Sequence, residues 1–213
     1  MDFLDFLPGG MAKAALASIH YEQYETSNKL SDLDEAISAI NAAINETSPR
    51  STDNRRARYL MQHGMFIYAK YERTGNNSYY TEAMSRLKET LRETERVADA
   101  LDIRESTLQV IVAMLKGRWN KSKMIPTLVE LSEAELEVMR LLWRRGKKKS
   151  SGRMLQEASN SCLVAWNITK DPKHIERAVQ GFRSMLDVLA SPGSGRTVGR
   201  NMSGEIGFQY LSI

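Results

Sequence analysis

The 213-residue chain is 42% hydrophobic and 26% charged, which suits one sizeable globular domain or two small ones and excludes bulk disorder. A formal net charge of +4 permits an acidic or nucleic-acid partner without requiring one. The lone Cys162 excludes an intrachain disulfide and a cysteine-built zinc site, and no apolar run reaches the roughly 18 residues of a membrane span.

Taken in chain order, the sequence predicts helices and no strands. "MDFLDFLPGG" lacks a basic n-region and is interrupted by Asp2 and Asp5, so no signal peptide is expected and the protein reads as cytoplasmic. Helices are predicted over 10–27, 31–46, 52–73, 78–99, 103–119, 125–144, 152–169 and 172–190. Ser31 and Pro172 are read as helix-start residues. The remainder, 191–213, is a Gly- and Ser-rich tail with an apolar end at Phe208, Tyr210, Leu211 and Ile213.

These segments repeat. "YETSNKLSDLDEAI" (24–37) reappears as "YERTGNNSYYTEAM" (71–84) after 47 residues, and "WNITKDPKHIERAV" (166–179) matches it again at a shift of 95. Downstream, Leu33, Ala36, Ile37, Ile40, Ala43 and Ile44 correspond to Tyr80, Ala83, Met84, Leu87, Thr90 and Leu91. They also correspond to Ile175, Ala178, Val179, Phe182, Met185 and Leu186, and spacings of three and four put each set on one helix face. A drifted copy lies between, marked by Trp119. Each unit is therefore a hairpin: an A helix ending in an aromatic, a polar loop, and a B helix with a small residue on its apolar face. One hairpin cannot bury both faces, so the units must stack. The predicted fold is all-α, a right-handed α-solenoid of about four hairpins over 1–190, with a period of about 47 residues.

The hairpins, and "RRARYLMQHGMFIYAKYERTG" (55–75) above all, resemble the tetratricopeptide-like repeats of fungal signalling proteins that carry NTPase or caspase-like CHAT modules. The resemblance implies a non-catalytic interaction module with a ligand on the concave face of the A helices. No Gly-rich phosphate loop with Lys-Ser/Thr occurs here, no Cys–His pair is evident, and His63 stands where an apolar residue is usual. A second likeness, of "LSEAELEVMRLLWRRG" (131–146) to the opening helix of penicillinase-repressor winged-helix proteins, rests on a Ser132–Glu135 capping box. The sequence that follows belongs to the repeat and not to a recognition helix and wing.

If the A helices line the groove, Arg58, Gln62 and Met65 lie on it in the second unit, Gln109 in the third, and Arg153, Gln156 and Asn160 in the fourth. Arginines beside amides suit an acidic or carboxylate-bearing protein or peptide. Separately, Arg144, Arg145, Lys147, Lys148 and Lys149 form a basic cluster between the third and fourth hairpins. It is read as a solvated loop, with nucleic-acid binding or nuclear import as the alternative. Self-association through the exposed face of a terminal hairpin is a third reading. His20, His63 and His174 share no metal-ligand spacing, Cys162 lies mid-helix among apolar residues, and Glu89–Arg92 and Glu93–Arg96 are read as surface pairs. No metal, cofactor or catalytic residue is expected.

Overall fold

The structure, a computed structural model, describes residues 9–48, 53–97 and 100–190. The predicted tail, 191–213, lies outside the described residues, as does the N-terminal stretch 1–8. Among the described residues eight helices follow one another: α1 (Gly9–Ser27), α2 (Leu30–Asn45), α3 (Arg55–Thr74), α4 (Asn77–Thr94), α5 (Leu101–Ser122), α6 (Ile125–Arg144), α7 (Lys148–Thr169) and α8 (Lys173–Ala190). Among the described residues there is no strand. Consecutive helices pair as four hairpins, and each B helix packs on the A helix that follows it. The result is an all-α solenoid of stacked helical hairpins.

A local device closes every hairpin. Asn28, Gly75, Lys123 and Lys170, at intervals of 47, 48 and 47, each adopt a left-handed conformation with φ between 51° and 71°. Their backbone N–H groups donate to the carbonyls of Tyr24, Tyr71, Trp119 and Trp166 at 2.7–2.9 Å, which ends the A helix. One residue earlier stands a hydroxyl: Ser27, Thr74, Ser122 or Thr169. In the last three it donates to the carbonyl four residues back at 2.7–2.9 Å. In all four it accepts the N–H two residues on, at 3.1–3.4 Å. The hydroxyl thus satisfies one orphan group on each side of the turn.

Two boundaries differ from expectation. α4 stops at Thr94 and not at 99, because the Thr94 hydroxyl turns back onto the Leu91 carbonyl at 2.7 Å and Arg104 Nη1 caps that carbonyl at 3.2 Å. The Glu93–Arg96 helix pair therefore does not form, and Glu89 turns to Arg56 and Arg86 instead of Arg92. α7 begins at Lys148 and not at 152, so part of the basic cluster is helical. The capping box is also absent: Ser132 and Glu135 are buried in the middle of α6, which starts at Ile125 with Pro126 behind it.

The first core, between α1, α2 and α3, is built on Ala17, Leu33, Ala36, Ile40 and Leu60. The second runs from Ile67 through Leu87, Leu108, Met114, Leu128 and Val138 to Ala165, spanning α3 to α7. Close approach is written into Gly64, where an added Cβ would sit 2.9 Å from Leu87 Cγ and 3.3 Å from the Ala83 carbonyl oxygen. That is why small residues recur on both sides of the hairpin.

Candidate functional site

The A helices lie beside one another: α3 packs directly on α5, and Lys116 of α5 reaches Glu157 of α7 at 2.5 Å. On this face Arg58, Gln109, Arg153, Gln156 and Asn160 are exposed, and Gln62 and Met65 are half-buried. Met65 packs against the first core, so it is as much floor as contact residue. Arg58, Gln62 and Met65 share one stripe of α3, at spacings of four and three.

Gln109 and Gln156 lie one position before the counterparts of Gln62. Counting back from the left-handed caps at Gly75, Lys123 and Lys170, the equivalents of Arg58 are Ser106 and Arg153, those of Gln62 are Val110 and Glu157, and those of Met65 are Ala113 and Asn160. The 48-residue interval in the third unit causes the slip at Gln109, whose amide instead approaches Glu105 at 3.4 Å. Gln156 is exposed, one residue before the true counterpart, Glu157, which is tied to Lys116.

The face that results is a strip with cationic ends. Arg58 stands at one end and Arg153 at the other, two hairpins away, or about 20 Å at the usual spacing of packed helices. Neither is assigned an ion pair, unlike Lys13, Arg55, Arg56, Lys70, Arg86, Arg104, Lys116, Arg145, Lys147 and Arg177. Between them lie Met65, Tyr68, Val110 and Ala113, an apolar floor, with Gly117 close to the Tyr68 hydroxyl. Burial, then the neighbouring Glu72, holds that phenol above its ordinary pKa, so it remains a donor.

A buried polar cluster that the apolar pattern did not reveal joins α5, α6 and α7. Glu135 is 1% exposed and accepts from the Ser161 hydroxyl at 2.9 Å, with Lys116 Nζ at 3.3 Å. Burial pushes its carboxyl upward, against the pull of Ser161 and Lys116. Burial draws the Lys116 ammonium down, but Glu157 and Glu135 more than offset this and hold it above its ordinary value. Cys162, beside this cluster, is a buried thiol pushed up by burial. The signal was present in the repeat register: Glu135 occupies the position that Ile40 and Leu87 fill in the first two units.

The basic cluster is not an open patch. Arg145 pairs with both Asp102 and Glu105, and Lys147 Nζ lies 2.7 and 2.9 Å from the Glu105 carboxylate. Lys148 sits 5.8 Å from the centre of the Trp143 ring. Two of the five cations therefore bind the turn before α7 to the start of α5, leaving Arg144 and Lys149 exposed at its edge. A shallow recess of about 190 Å³ lies between α6 and α8, lined by Glu133, Leu136, Arg140, Arg177, Gln180 and Gly181, away from the A-helix strip. Among the described residues no helix is long and apolar enough to cross a membrane.

No family model and no curated protein matches the chain. Among solved structures it is similar to the DHF58 filament, with a TM-score of 0.51 and 12% identity over 84% of this chain and 92% of that one. It is also similar to the de novo designed helical repeat protein DHR64, with a TM-score of 0.48 and 12% identity over the same shares. At such identity the likeness to the first is one of fold, stacked helical hairpins.

Proposed function

We propose that this chain is a non-catalytic protein-interaction module whose A-helix strip holds an extended acidic peptide. The observation that supports it most is the pair of exposed arginines without an assigned ion pair, Arg58 and Arg153, at the two ends of a strip floored by Met65, Tyr68, Val110 and Ala113. An extended peptide rises about 3.3 Å per residue, so two carboxylates about six residues apart span the arginines. Each arginine offers a planar fork to a carboxylate, and the apolar floor takes the side chains between. The preformed strip adds little ordering cost on the protein side. This assignment keeps the tetratricopeptide-like resemblance as a proposal about use and not about descent, with a cytoplasmic location.

Nucleic-acid binding or a nuclear role through the basic cluster at residues 144–153 is the alternative, and the commitment of Arg145 and Lys147 to Asp102 and Glu105 weighs against it. The test is fluorescence polarisation with labelled peptides carrying two glutamates at varied separations. Affinity is expected to peak near a separation of about six residues. Arg58→Glu with Arg153→Glu is expected to lower it at least about tenfold, a loss of roughly 1.4 kcal/mol or more. Arg144→Ala with Lys148→Ala and Lys149→Ala leaves it unchanged. Lys147 is kept, because it is structural. A response indifferent to glutamate spacing, or RNA binding that is lost with the three alanines, would sink the peptide assignment.

A further inference from the structure

The repeat register identifies what fits the two open ends of the stack. Within the chain each hairpin presents one set of positions to the next. Tyr21 of α1 stacks on Phe66 of α3 with ring centres 4.5 Å apart. Its equivalent Tyr68 of α3 meets Gly117 of α5, and the next equivalent, Lys116, pairs with Glu157 of α7. On the B helices the presenting positions include Ile37, which reaches into the core of the following hairpin, together with Ile40 and Ile44. In the fourth hairpin these same positions are Leu163, Val179, Phe182 and Leu186. They are 38, 41, 36 and 60% exposed, whereas Ile40 and Leu87, the counterparts of Phe182, and Ile44 and Met139, counterparts of Leu186, are at most 4% exposed.

The receiving positions show the mirror image. Phe66, Met114, Ile111 and Ala158 accept the preceding hairpin and are at most 6% exposed. Their counterparts in the first hairpin are Ile19 and Leu16, which are 44 and 39% exposed. Ala14 and Ala17 of the same helix face inward, so Leu16 and Ile19 point away from the stack. The chain therefore keeps apolar side chains at the presenting positions of its last hairpin and at the receiving positions of its first, where no hairpin of the described chain covers them.

Charge distinguishes the ends in a complementary sense. Residues 9–46 carry two lysines against six carboxylates, a formal −4, whereas residues 148–190 carry seven cations against four carboxylates, a formal +3. Like ends repel and unlike ends attract.

We infer that the α7–α8 end of one molecule seats on the α1 end of a second copy, continuing the solenoid head to tail. The contact is heterologous, so it does not satisfy itself at a dimer and grows by addition. The surface is distinct from the A-helix strip, and neither proposal depends on the other.

The test is sedimentation velocity on the full 213-residue chain over a wide concentration range, at low and high salt, with circular dichroism to confirm helicity. Mass is expected to climb past a dimer with concentration and to fall with salt. Leu16→Glu with Ile19→Glu, and separately Phe182→Glu with Leu186→Glu, each yield monomers. An equimolar mixture of the two variants yields a one-to-one heterodimer and nothing larger, because each retains one good end; this recovery also shows that both fold. A wild type that stays monomeric at every concentration overturns the inference. So does a monomer that associates only once residues 191–213 are removed, which would make that segment the cover. A mixture that fails to recombine points to an isologous contact and overturns it too.

Discussion

Replacing His63 isolates a pH dependence that its burial creates. The imidazole lies in α3 at 3% exposure, facing Arg86 and Glu89 of α4, and its Nδ1 has no hydrogen-bond partner. Burial, reinforced by the Arg86 charge, pulls its pKa from 6.5 to about 4. The unfolded chain thus binds a proton that the folded chain refuses, and stability falls as pH drops from the unfolded value toward the folded one. One pKa unit is about 1.4 kcal/mol, so the native state loses about 2 kcal/mol between neutral pH and about pH 5, and about 3 kcal/mol by about pH 4. Carboxylates that titrate in the lower part of that window act on wild type and variant alike. Urea denaturation followed by helical circular dichroism at several pH values, on wild type and His63→Leu, therefore reads the histidine as a difference. The leucine variant is expected to gain about 2 kcal/mol on wild type as pH falls to about 5. Parallel stability curves would refute a buried neutral imidazole.

Gly64→Ala places a methyl against Leu87 and the Ala83 carbonyl; it is expected to cost about 1–3 kcal/mol by chemical denaturation, and a double-mutant cycle is expected to show a smaller cost in a Leu87→Ala background, although the double variant is less stable than either single one. At the hairpin caps, Lys123→Gly and Lys170→Gly relieve left-handed strain at φ 51° and 58° and are each expected to raise stability by up to about 1 kcal/mol, with Gly75→Ala losing a similar amount. Lys116→Met removes the cation facing buried Glu135 and is expected to cost about 3 kcal/mol at neutral pH. Because burial raises the folded pKa of Glu135 above its unfolded value, the loss should shrink as pH falls, while Lys116→Met with Glu135→Leu recovers most of it at all pH values.

The hairpins were legible because the repeat was written in helix-period apolar residues and a recurring aromatic. Leu33, Ala36, Ile40, Ala43 and Ile44 are buried as that spacing requires. The hairpin caps were only half legible. Gly75 announces a left-handed turn, but Asn28, Lys123 and Lys170 do not, and the common signal is the Ser/Thr three residues after each aromatic. Helix ends fixed by tertiary contacts were not legible at all. Arg104 reaches from α5 to cap α4, and no pattern within 78–99 contains that information. The pairing of the basic turn was not legible for the same reason: Glu105, forty residues upstream of Arg145, is what binds it. For the A-helix strip the face was legible, but at Gln109 the register was not, since one inserted residue in the third unit moves the counterpart of Gln62 to position 110.

That third unit also explains why its sequence drifted. Elsewhere neighbouring hairpins join through apolar or aromatic contacts such as Tyr21 on Phe66 and Ile37 against the core that follows it. Here the small B-helix residue becomes Leu131, the next core position becomes Glu135, and the presenting aromatic becomes Lys116. The three changes belong together. A carboxylate at a core position needs a cation and a hydroxyl, and Lys116 and Ser161 supply them from α5 and α7. Glu105 repeats the arrangement at the other end of the unit, binding Arg145 and Lys147 where its equivalents in the second and fourth units are Ala57 and Gly152. Apolar contact tolerates sliding between layers, whereas a buried charge pair has one register in which both partners are satisfied. The polar joint between the third and fourth hairpins therefore sets how the fourth hairpin sits on the stack. It thereby sets where Arg153 stands relative to Arg58 along the A-helix strip.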